Sequence, residues 1–91
     1  MDYKGFIEKS KQVVAQYTNG NLARTSADVT IAPEDVYVVW YCKTLQNAKA
    51  LLSTDVADGM YYEVTYNGDK DEMYFDAYQK VENIKIEMKE L

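Results

Sequence analysis

The stretch Val36-Tyr37-Val38-Val39-Trp40-Tyr41-Cys42 limits the options of this chain more than any other. Seven consecutive residues are β-branched, aromatic or cysteine, a composition that suits a pleated, mostly buried strand and disfavours helix. The run is too short to cross a membrane as a helix. It predicts a central strand over Val36–Lys43, for which other segments must supply pairing and cover.

Upstream, Tyr3, Phe6, Ile7, Ser10, Val13, Val14 and Tyr17 follow the i, i+3, i+4, i+7 spacing of an amphipathic helix with one face on a core. Asp2 is placed to cap its start, and Asn19-Gly20 offers left-handed residues to close it. Asn21 to Asp35 lacks periodicity and ends in Ala32-Pro33-Glu34-Asp35, which predicts a mobile loop around 21–35 with one short turn at Pro33. Downstream, Leu45-Gln46-Asn47 turns the chain into a second strand over Ala48–Thr54. Asp55 to Gly59 leads into a third over Met60–Tyr66, and Asn67-Gly68-Asp69-Lys70 into a fourth over Met73–Tyr78. In the last segment Val81, Ile84 and Met88 fit helical spacing, whereas Ile84, Ile86 and Met88 fit strand alternation. An extended continuation broken near Glu82-Asn83 is favoured over a short helix. The expectation is one α+β domain, with an N-terminal helix on one face of a four-stranded antiparallel meander.

Strict alternation sorts the strands by face. Val36, Val38, Trp40 and Cys42 should meet the helix with Met60, Tyr62, Val64, Tyr66, Met73, Phe75 and Ala77. The opposite face then carries Tyr37, Tyr41, Tyr61, Glu63, Tyr74, Asp76 and Tyr78. Tyrosines are good strand formers, which accounts for some of this. They also supply rigid contact area with a polar tip, so this face is the candidate partner-binding surface, and a homo-oligomer through it is compatible with both readings. Lys43, Gln46, Asn47 and Lys49 surround the first turn. They are the candidate site for an anionic, nucleotide-like ligand, although a solvated turn needs no such explanation. Asp69, Asp71 and Glu72 form an acidic hairpin tip that protects a sheet edge or contacts a basic partner.

Several chemistries fall away. The 91 residues include no histidine, which removes the commonest general base, the Ser-His and Cys-His pairs and the mixed Cys/His zinc site. Carboxylate chemistry and hard-metal binding survive this exclusion, but no calcium loop or glycine-rich phosphate loop is present, and no catalytic residue, metal site or cofactor is expected. Cys42 is the sole cysteine, which excludes an internal disulfide and fits a reducing cytoplasm; its expected role is a small core side chain. The net charge is −5, and residues 55–91 alone carry ten acids against four lysines. Phosphate contacts need a basic surface, so nucleic-acid binding is disfavoured, and no segment suggests export or a membrane span.

Asp35-Val36-Tyr37-Val38-Val39-Trp40, Cys42-Lys43-Thr44-Leu45-Gln46-Asn47 and Lys49-Ala50-Leu51-Leu52-Ser53-Thr54, with Asp58-Gly59-Met60-Tyr61-Tyr62-Glu63-Val64-Thr65-Tyr66-Asn67-Gly68-Asp69-Lys70, resemble a family of small uncharacterised proteins from phages and prophages of Gram-positive bacteria. The resemblance runs from Asp2 to about Asn83. It carries no residue roles. It implies a setting, the bacterial host cytoplasm, and a small non-enzymatic protein that binds and inhibits or sequesters a host factor, plausibly a defence component. The alternative is an oligomeric binder of a nucleotide-like small molecule.

Overall fold

In the computed structural model the described residues are 1–25 and 30–91, with the side chains of 22–25 outside the description. Helix α1 spans Tyr3–Thr25, and strands β1 (Val36–Thr44), β2 (Asn47–Thr54), β3 (Met60–Asn67) and β4 (Glu72–Gln79) follow. They form one antiparallel sheet in the order β1-β2-β3-β4. The α+β architecture is the expected one, but β1, expected as the central and mostly buried strand, lies at the edge of the sheet, and only Val36 of it is buried.

Asp2 caps α1 as predicted: the Gly5 amide donates to its Oδ1 at 2.8 Å. Phe6, Ile7, Ser10, Val14, Ala15 and Thr18 make the buried stripe, and the Ser10 hydroxyl is satisfied by the Phe6 carbonyl at 2.7 Å. The helix does not stop at Asn19-Gly20, as the sequence suggested, but runs on to Thr25. Asn19 has a tertiary task instead. Its amide donates to the Ile31 carbonyl at 2.9 Å and accepts from the Ile31 N–H at 2.8 Å. Neither Asn19 nor Gly20 takes the left-handed backbone conformation that would close the helix. The loop expected over 21–35 is therefore helical through residue 25, while 26–29 lie outside the described residues. The turn predicted at Pro33 is present as a 3-10 turn, Pro33–Asp35, in which Asp35 Oδ2 accepts from the Ala32 amide.

The core lies between α1 and the sheet. Val36, Ala48, Ala50, Leu52, Tyr62, Val64 and Tyr66 are buried beneath the helix stripe. One predicted alternation fails. Val38 pairs with Leu52, but Trp40 pairs with Leu51, so Val39 is an extra residue in a β-bulge. A single inserted residue reverses every later side chain in the strand. Tyr41, expected on the open face, thus lies opposite buried Ala50 and meets Tyr3 edge-on, with ring centroids 4.6 Å apart. Trp40 and Cys42, expected in the core, are exposed. In the native protein Cys42 should react with a thiol reagent within about tenfold of its rate in denaturant. Strong native protection would contradict the bulge.

Beyond β4 neither predicted alternative holds throughout. Residues 80–87 run without helix or sheet pairing, and Met88–Glu90 form one 3-10 turn.

Candidate functional site

Among the described residues, no second layer covers the sheet face turned away from α1. With the bulge included, the register gives it two complete rows across the four strands. Cys42, Lys49, Thr65 and Tyr74 form one row, and Trp40, Leu51, Glu63 and Asp76 the next. The Tyr37–Ser53 and Tyr61–Tyr78 pairs complete the face at its far end. Tyr37, Trp40, Tyr74 and Tyr78 are each between 41% and 51% exposed. Together they give this face an exposed aromatic surface.

Glu63 and Asp76 face one another on β3 and β4 in the middle of this surface. Directly opposed like charges destabilise a sheet, so a compensating cation has an electrostatic reason to sit there. Lys49 supplies part of one, its Nζ lying 3.4 Å from a Glu63 carboxylate oxygen. With the lysine side chain 45% exposed, such a pair is worth at most about 1 kcal/mol. Asp76 has no such ion-pair partner among the described residues. Tyr61 and Tyr78 border the two acids on one side, and Thr65 and Tyr74 on the other. A shallow depression of about 340 Å³ lies beside them, lined by Trp40, Cys42, Thr44, Lys49 and Thr65. Chemically, the arrangement suits a protruding cationic side chain, which would find carboxylates at the centre and aromatic faces around them.

Six of the seven residues predicted for the partner-binding face are on it, the exception being Tyr41. Trp40, Cys42 and Leu51 belong to it and escaped sequence reasoning. No glycine or other local signal marks the bulge that puts Trp40 and Cys42 there.

The lysine-bearing turn does not converge. Lys43 pairs with Ala48 on the helix side of the sheet, whereas Lys49 pairs with Cys42 on the open side. Gln46 Nε2 donates to Asp69, and Asn47 Oδ1 accepts from the Gly68 amide at 2.9 Å. The two polar side chains thus tie the first hairpin turn to the third. The acidic tip is likewise engaged: Asp71 accepts from the Tyr66 hydroxyl at 2.7 Å, and Glu72 from that of Tyr74. These bonds favour the neutral phenols, so the Tyr66 and Tyr74 hydroxyls are pushed above their usual range, chiefly by the carboxylates they bind. Among the described residues no cluster of carboxylates and cysteine has the makings of a metal site, and no helix is long and apolar enough to cross a membrane.

Comparison with known proteins is informative at the level of family. A model described as a family of unknown function (DUF6275) matches residues 7–88. No curated protein and no solved structure matches the chain.

Proposed function

We propose that this chain, which belongs to the family of unknown function DUF6275, is a small non-enzymatic binding protein that captures a host protein on its open sheet face. The observation that carries this reading is the uncovered aromatic surface centred on Glu63 and Asp76. A partner presenting an arginine or lysine from an apolar surround matches it in charge and shape. The chain's net charge of −5 would also speed encounter with a basic partner. Within this reading the chain is a phage or prophage protein of a Gram-positive bacterium. It acts in the host cytoplasm by inhibiting or sequestering its target, a component of host defence.

A nucleotide-like ligand on the lysine turn has less support. Lys43 and Lys49 lie on opposite faces, and the Gln46 and Asn47 side chains are occupied by the neighbouring turn.

The test is native mass spectrometry of the tagged chain recovered from a Gram-positive host, beside a Tyr61→Ala/Tyr74→Ala variant. A host protein at fixed stoichiometry is expected with the parent chain and should be at least about 100-fold depleted with the variant, since loss of two aromatic anchors exceeds 2.7 kcal/mol or so. Unchanged capture by a folded variant would sink the open-face reading. A retained mass of a few hundred daltons per chain would replace it with small-molecule binding. Trp40, on the same face, gives a second readout: its emission should shift to the blue when the partner covers it.

A further inference from the structure

Residues 80–91 form an arm that belongs to no layer of the fold. Its root is fixed by the Lys80 amide, which donates to the Gly59 carbonyl at 2.7 Å. From there it leaves the body. Val81 is 95% exposed, and Ile84, Ile86, Met88 and Leu91 are exposed as well. The radius of gyration is 15.2 Å, against about 12 Å for a compact chain of this length. Yet the arm is not composed like a solvated tail. Ile84, Ile86 and Met88 alternate with Lys85, Glu87 and Lys89, the period of a strand with one apolar face.

The sheet has a matching vacancy at β4. That strand pairs with β3 through eight unbroken positions, from Glu72 to Gln79, and the sheet order ends there. Half of its backbone N–H and C=O groups therefore point outward along a regular edge. The other edge, β1, is interrupted by the bulge at Val39, a feature that discourages strand addition.

The geometry points to a reciprocal exchange in which the arm of one chain pairs antiparallel with β4 of a second copy. A second copy is favoured over the arm's own β4 because the chain would have to reverse to reach the latter. Residues 80–91 contain neither glycine nor proline, and the non-glycine residues with positive φ among those described are Leu45 and Asp71. The arm instead follows directly after β4. Around a two-fold axis each β4 then lies beside the other copy's arm, and one interaction is made twice. Charge permits this. β4 carries Glu72 and Asp76, while the arm balances Lys80, Lys85 and Lys89 against Glu82, Glu87 and Glu90. In an extended chain Ile84 and Ile86 share parity with Tyr74 and Tyr78, so pairing would join the two open faces into one continuous surface. The inference does not depend on what that surface binds.

Sedimentation equilibrium of the full chain over a wide concentration range tests it. The parent is expected at twice the 10.5 kDa chain mass, and Ile84→Glu/Ile86→Glu at the monomer mass, with unchanged circular dichroism because neither side chain is buried in its own chain. Ile86→Pro, which removes an N–H and restricts the backbone, should weaken the dimer at least tenfold. Amide exchange at Tyr74–Tyr78 should be slow in the parent and faster in both variants. A parent that stays monomeric, with or without a protected β4 edge, overturns the exchange. So does a dimer that survives the double glutamate variant.

Discussion

Gly68→Ala should lower stability by about 2–4 kcal/mol, combining the usual penalty for forcing atoms into a packed site with the loss of one hydrogen bond. A β-carbon on Gly68 would stand 2.1 Å from the Gln46 carbonyl oxygen and 2.8 Å from its carbonyl carbon, both backbone atoms of a tight turn. The Gly68 amide also donates to Asn47, and Asp69 accepts from Gln46, so any retreat breaks the clamp between the two hairpin turns. A chain of this size has roughly 5–14 kcal/mol in all. Urea denaturation gives the number directly. Gly20→Ala is the control: nothing lies within 4 Å of a β-carbon there, and an alanine inside α1 should add up to about 1 kcal/mol. A Gly68→Ala protein as stable as the parent would mean that the two turns are not in contact.

Tyr62→Ala should cost more, about 3–5 kcal/mol, enough to leave the fold marginal. Tyr62 is 1% exposed, stacks on Phe75 at 5.6 Å, meets Tyr17 edge-on at 5.7 Å and accepts a hydrogen bond from Thr18. Tyr62→Phe keeps the ring contacts and should cost only about 1 kcal/mol. The same residue shapes the alkaline limb of stability. Burial, the largest cause, raises its hydroxyl above the usual value near 10, and the Thr18 bond opposes this only in part. A group whose folded pKa is raised stabilises fully below its unfolded pKa, and that contribution is lost as pH climbs through the folded value. Melting temperature should therefore fall above about pH 10, and less steeply in Tyr62→Phe. Tyr66 and Tyr74, also raised, contribute with the same sign. Identical alkaline limbs in the parent and Tyr62→Phe would remove Tyr62 from this account.

Much of the architecture was legible because it rests on local chemistry. The period of Phe6, Ile7, Ser10 and Val14 made a helix with one apolar face, Asp2 started it, and Asn67-Gly68 turned β3 into β4. The candidate face was legible wherever alternation ran unbroken, as in β3 and β4. It was misread in β1, where Val39 bulges and exchanges the roles of Trp40 and Tyr41. The Asn19-Gly20 stop failed as well: neither residue takes the left-handed conformation that closes a helix, and the Asn19 side chain holds Ile31, twelve residues away.

By its own period and turn residues the sequence determined which segments are helix and strand, in what order they pair, and that one sheet face is rich in tyrosine. Tertiary structure alone decided which way β1 points beyond Val38, how far α1 runs, and which polar side chains near the turns are already engaged. Those outcomes turn on partners distant in sequence, on Ala50 opposite Tyr41, Ile31 against Asn19 and Asp69 against Gln46. A bulge or a long-range hydrogen bond leaves no periodic trace in the segment that makes it.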